Sequence, residues 1–194
     1  RFAYVPAPWA LLEDTHMLEP GTWREVDADG RVQTGRYWSF PQRAEPLLRG
    51  EEAVEAVAAA VAAAVKRQLV SDVPVGDFLS GGIDSPLVVA NMRDAAGPTS
   101  RAFTIGTGDS NTDESADAAA YARELGIAHT VERATAEDAL AMLDEVVAAC
   151  GEPFGDFSIF PTMLVCRAAC RAFKVVLSGD GGDELFWGYP GRFG

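Results

Sequence analysis

The sequence predicts an α/β domain built on a doubly wound parallel sheet. Three observations point there. From Glu51 onward, amphipathic helical stretches alternate with short apolar runs of strand length. Two glycine-rich loops each follow such a run directly, the placement of ligand loops in open α/β sheets. Finally, 194 residues, 48% hydrophobic and 23% charged, supply enough chain for one such core.

The first 48 residues read differently from the rest. They hold Pro6, Pro8, Pro20, Pro41 and Pro46 and three of the four tryptophans. Thr22–Val26 and Arg31–Trp38 read as short strands joined through Asp29-Gly30, a hairpin signal. This stretch has too few apolar residues for its own core, so it reads as the edge of a preceding domain and a linker. The domain proper is expected over residues 49–194.

A first helix is expected from Glu51, with Val54, Val57, Val61 and Val65 on one face. Its acidic start (Glu51, Glu52, Glu55) and basic end (Lys66, Arg67) suit the helix dipole. Val75–Leu79 follows as a strand, then a glycine turn and a helix over Ser85–Ala95. Arg101–Gly106 reads as a strand. Asp113–Leu125 reads as a helix with Ala118, Tyr121, Ala122 and Leu125 inward, stopped by Gly126. Ala128–Glu132 is a strand and Thr135–Ala149 a helix. Pro161–Phe173 is a further helix, Lys174–Leu177 a strand and Ser178–Asp183 a loop.

Composition excludes several function classes. The net charge is −13, which repels nucleic-acid backbones. The longest uncharged run, Phe2–Leu12, has eleven residues, against the roughly 20 a membrane span needs. No signal segment is visible, and three cysteines, an odd count, suit a reducing compartment. The expectation is a cytoplasmic protein with no nucleic-acid or membrane partner. Cys166 and Cys170 stand four apart and read as buried small apolar residues rather than a metal pair. His16 and His129 lie far from any ligand-spaced cluster.

Three segments carry chemistry. Ser80-Gly81-Gly82-Ile83-Asp84-Ser85 joins a strand to a helix. Its glycines let backbone N–H groups approach an anion, and the helix start and the serine hydroxyls add donors. Asp84 beside a phosphate makes sense if it holds Mg²⁺ with phosphate oxygens as co-ligands. No lysine lies nearby, so this is not a Walker loop. The second segment, Ser178-Gly179-Asp180-Gly181-Gly182-Asp183, follows the last strand and should open on the same crevice. Asp84, Asp180 and Asp183 would then converge, favourably only around a cation. The third segment, Gly151–Thr162, is a loop in which Glu152 and Asp156 would position an amine or another substrate.

In this order, the three segments resemble the synthetase domain of asparagine synthetases, within the N-type ATP pyrophosphatase (PP-loop) class. Phe103-Thr104-Ile105-Gly106, Asp113-Glu114 and His129 resemble its second βαβ unit, and Ser178–Tyr189 its second signature. Tyr4–Pro8, Leu18–Gly21 and Arg36–Trp38 look like the tail of the family's N-terminal glutaminase domain. The resemblance implies an adenine nucleotide alpha hydrolase-like fold with ATP and Mg²⁺. An aspartate carboxylate is activated as an acyl-adenylate, pyrophosphate leaves, and ammonia attacks to give asparagine and AMP. It further implies that Ser80, Gly81, Gly82, Asp84 and Ser85 hold pyrophosphate and metal. Phe78, Leu79 and Ile105 would line the adenine pocket, and Ser178 and Gly179 would approach the nucleotide. Asp183 would be the second metal ligand, and Asp180 would sit near the reacting carboxylate. Ammonia would come from glutamine through a domain absent here.

Some residues depart from that pattern. No cysteine precedes Cys150, so glutamine hydrolysis is not expected of this stretch. Neither Lys66 nor Lys174 is placed to face the phosphates, so the stretch by itself is expected to be impaired. Pro86 and Trp187 stand where serine and glycine are common in the family. Two alternatives stay open: the same adenylation on another carboxylate, as in β-lactam synthetases or peptide-cyclising enzymes, and a non-catalytic nucleotide-binding module. A homodimer is neither required nor excluded.

Overall fold

The structure is a computed structural model that describes residues 2–40, 47–97, 100–109 and 113–189. Pro41 and Pro46 of the expected linker lie outside the described residues. The chain divides into two compact units, residues 1–47 with 143–157, and residues 48–142 with 158–194.

In the first unit, β1 (Thr22–Val26) and β2 (Val32–Arg36) form an antiparallel pair, with Trp23 opposite Gly35. Asp27 closes the turn by accepting from the Asp29 and Arg31 amides at 3.0 and 2.7 Å. Both strands are largely exposed, as expected of a ribbon without its own core.

The second unit holds a parallel sheet made of β3 (Val75–Phe78), β4 (Arg101–Gly106), β5 (Ala128–Arg133) and β6 (Val175–Leu177). The spatial order is β5-β4-β3-β6. The chain winds outward from β3 through β4 to β5, then returns to the far side of β3. The winding therefore reverses between β3 and β6.

Helices cover both faces, which is what doubly wound means physically. On one face α2 (Asp84–Ala96) and α3 (Ser115–Leu125) bury Val89, Ala118 and Ala122 against Leu79, Ala102 and Ile127. Tyr121 and Leu125 pack on that cluster, as the helical spacing predicts. On the other face α6 (Ile159–Cys170) lays Ala168 and Ala169 on Phe103, with Phe78, Phe173 and Val176 around them. Phe103 and Phe173 meet edge to face at 5.9 Å. Gly126 ends α3 in the left-handed conformation at φ 67°, a geometry that favours glycine.

Several expectations are corrected. In α1 (Gly50–Gln68) only Val65 of the valine stripe is buried, while Val54 and Val57 are exposed. Periodicity reads a helix face but not whether anything packs on it. The helix expected over Thr135–Ala149 is two: α4 (Ala136–Ala141), capped by a Thr135–Asp138 box, and α5 (Leu143–Cys150). The break at Met142 carries no Pro or Gly, so no breaker residue marks it. A short α7 (Gly182–Phe186) begins inside the expected loop, at Gly182 and Asp183. Cys166 and Cys170 are exposed on α6 rather than buried. The alanines at 168 and 169 take the core-facing positions instead.

Candidate functional site

The reversal between β3 and β6 places the ends of both strands beside each other, and each strand runs into one of the glycine-rich loops. Such a switch point is where open α/β sheets leave a crevice.

The first loop is braced from within. The Ser80 amide donates to the Ser85 hydroxyl at 2.7 Å, and the two serine hydroxyls lie 2.8 Å apart. The Gly82 amide donates to the Ser80 hydroxyl at 3.2 Å. The Gly81 amide donates to the Glu114 carboxylate at 3.0 Å, across from the start of α3. α2 begins at Asp84 without a side-chain cap, so its first-turn amides are not taken by a capping side chain.

The second loop lies directly on that helix start. A Cβ on Gly179 would stand 2.7 Å from the Ser85 amide nitrogen. A Cβ on Gly182 would stand 2.3 Å from the Asp84 carboxyl carbon. Gly179 is therefore fixed by close approach to backbone, whereas the neighbour of Gly182 is a side chain. Gly181 adopts φ 94° to turn the chain into α7. Within the loop the Ser178 hydroxyl donates to the Asp180 carboxylate at 3.0 Å.

The residues expected from the sequence are thus brought together in part. The first loop, Ser80–Ser85, and the second, through Gly179 and Gly182, meet at Asp84 and Ser85. The three carboxylates do not converge. Asp84 lies over Gly182, Asp180 is held by Ser178, and the Asp183 carboxylate turns toward Gly188. Among the described residues no three His, Cys, Asp or Glu side chains are grouped for a metal ion. The donors still fit a hard cation shared with a ligand. The Asp84 carboxylate has no hydrogen-bond or ion-pair partner among the described residues, and Mg²⁺ accepts one or two carboxylates with phosphate oxygens.

Leu79 corrects its expected place in an adenine pocket. It is 3% exposed inside the core. Its amide donates to the Phe103 carbonyl at 2.9 Å, and its carbonyl accepts from the Thr104 hydroxyl at 2.5 Å. Phe78 and Ile105 are partly buried and keep some surface. Glu152 and Asp156 belong to the first unit, whereas the elements that build this surface belong to the second.

Thr104, Asp113 and His129, read from the sequence only as part of a matching segment, have specific partners here, and sequence reading missed Asp77 altogether. Thr104 joins the Leu79 carbonyl to His129 Nε2, which lies 2.8 Å from its hydroxyl, and so ties three strands at the base of the first loop. Burial holds the His129 pKa below its ordinary value. Asp113 accepts from the Gly108 and Ser115 amides, both at 2.9 Å. Bonds from Ser115 and then Gly108 hold its carboxyl below the usual range. Asp77 lies in β3 with no exposure and with both carboxylate oxygens unpartnered. Burial pushes its pKa from 3.8 to about 7. A charge in the middle of an internal parallel strand is the signal that could have found it.

The asparagine synthase family matches residues 56–194. Asparagine synthetase 1 (glutamine-hydrolysing) of Bacillus subtilis is 32% identical over 189 residues, covering 97% of this chain and 29% of its own length. A Methanocaldococcus jannaschii protein assigned as a glutamine-hydrolysing asparagine synthetase is 35% identical over 188 residues, covering 96% of this chain and 36% of its own. The chain thus spans about a third of the length of these curated relatives. Among solved structures, glutamine-dependent NAD⁺ synthetase from Acinetobacter baumannii in complex with ADP aligns at TM-score 0.49 and 22% identity, covering 86% of this chain and 31% of that one. That likeness carries no weight for the site.

Proposed function

The chain belongs to the asparagine synthase family, and on that premise we propose that it forms the nucleotide-binding part of a ligase that adenylates the side-chain carboxylate of aspartate and amidates it with ammonia. The observation that carries this is the contact of the two glycine-rich loops at the β3–β6 switch point, with Gly179 and Gly182 against Ser85 and Asp84.

The chemistry asks for an anion cradle and charge neutralisation. The Ser80 and Ser85 hydroxyls, the loop amides and the uncapped start of α2 would hold the leaving pyrophosphate in line with the attacking carboxylate. Asp84 would hold Mg²⁺ together with phosphate oxygens, and the ion when bound supplies the positive charge that the acidic site lacks. Phe78 and Ile105 would face the adenine. Asp180, on the exposed tip of the second loop, would meet the reacting carboxylate or the amine.

The test uses the complete natural polypeptide with labelled ATP, Mg²⁺ and ammonia, with and without L-aspartate. AMP and asparagine appearing together, only with aspartate, is the expected result. AMP formation independent of aspartate would move the acceptor to another carboxylate. ADP in place of AMP would overturn the mechanism.

A further inference from the structure

We propose that Glu114 is a built-in competitor anion of the first glycine loop. Its carboxylate takes the Gly81 amide, a donor that an incoming pyrophosphate group needs, and must be displaced from it when nucleotide binds. The proposal rests on the reading of Ser80–Ser85 as a phosphate cradle.

Three observations lead to it. First, the Gly81 amide donates to Glu114 Oε2 at 3.0 Å, a bond between an anion-binding loop and an anion of the same chain. Second, Glu114 stands at the N-cap of α3 yet makes no side-chain cap there. Its longer side chain is not among the usual N-caps, and it reaches across to the loop instead. Third, the reach is braced. Asp113 pins residues 108 and 115 on either side through its two 2.9 Å bonds. A Cβ on Gly81 would stand 3.0 Å from the Cβ atoms of both Glu114 and Asp117. The loop and the start of α3 are therefore packed as closely as glycine permits.

The physical consequence follows from one N–H and two anions. A carboxylate and a phosphate oxygen cannot both accept well from a single amide, and they repel each other. The apparent affinity for the phosphate is lowered by the fraction of time the amide is engaged elsewhere. Glu114 is exposed, so the displaced carboxylate has water to turn into.

The test measures binding by calorimetry in the complete natural polypeptide, with inorganic pyrophosphate and with Mg·ATP, for the parent, Glu114→Gln and Glu114→Ala. Glu124→Gln on the same helix controls for net charge. Metal-free pyrophosphate should bind both Glu114 variants about tenfold tighter, the scale of a hydrogen bond to a charged group, while Glu124→Gln stays unchanged. Exchange of the Gly81 amide should quicken in Glu114→Ala and be slowed again by pyrophosphate. Equal affinity in parent and variants, with pyrophosphate bound, overturns the competitor role alone. Weaker binding of the Glu114 variants, confined to Mg²⁺-containing samples, overturns it in favour of a metal ligand. Absence of any pyrophosphate or ATP binding in the folded parent overturns it together with the nucleotide reading.

Discussion

Replacing Asp77 with valine should stabilise the sheet, and by an amount that depends on pH. Asp77 is fully buried, and neither carboxylate oxygen has a hydrogen-bond partner. Its pKa rises from 3.8 to about 7 because burial disfavours the charged form. Between those two values the folded state holds a proton that the unfolded state has released. Stability is therefore greatest below pH 3.8 and is lost as pH rises to about 7. Each step of one in pH across that window costs about 1.4 kcal/mol, so the full loss is about 4 kcal/mol, of which about 2.5 kcal/mol falls between pH 5 and pH 8. The neutral acid still leaves polar atoms unpaired, which costs about 1–3 kcal/mol at any pH. Valine has similar volume and suits a strand, so Asp77→Val removes both costs. His129 tilts the profile the other way. Its lowered pKa means stability is lost as pH falls below its unfolded value of 6.5. Comparing parent with Asp77→Val cancels that contribution. Urea unfolding at several pH values should show the two curves diverging from pH 5 to pH 8. Parallel curves across that range would refute the account of a buried, protonated carboxyl.

Other substitutions separate fold from site. Asp84→Asn should abolish Mg·ATP use with the unfolding midpoint nearly unchanged, and normal AMP formation by that variant would remove Asp84 from metal binding. Gly182→Ala pushes a methyl to within 2.3 Å of the Asp84 carboxyl carbon. That side chain can swing aside, so the expected signature is weakened ATP binding in calorimetry with a thermal midpoint close to the parent's. Thr104→Val removes the bond to the Leu79 carbonyl and the contact with His129. It should cost about 1–3 kcal/mol in urea unfolding, and an unchanged midpoint would mean that the tie carries no stability.

How much is legible follows from what each signal encodes. The two glycine loops can be read because their chemistry is local: strand, glycines, serine, helix. The inward face of α3 can be read because Ala118, Tyr121, Ala122 and Leu125 repeat with the helix and a sheet lies beneath them. Val54 and Val57 show the limit, since the same repeat without a partner stays exposed. The expected convergence of Asp84, Asp180 and Asp183 rests on loop proximity alone. Side-chain direction, set by Ser178 and by the packing of Gly182 and Gly188, takes the three carboxylates apart. The motif places Leu79 in a pocket, but the residue directly follows β3 and alternates in step with Asp77, which turns it into the core. Thr104, His129 and Glu114 act through neighbours 25 to 33 residues away in sequence, a distance no local pattern spans.

The strand order gives the two loops unequal footing. The first is rooted in β3, which is held by hydrogen bonds to β4 on one side and β6 on the other. The second is rooted in β6, three residues long and paired to β3 alone among the described residues. Local opening costs least where the fewest ladder bonds and buried contacts must break. On the proposed reading, the molecule would grip its nucleotide as a vice does, with one fixed jaw and one sliding jaw. The serines and glycines of the fixed jaw would set where the phosphates lie. The sliding jaw, carrying Asp180 and Asp183, would govern how long they stay.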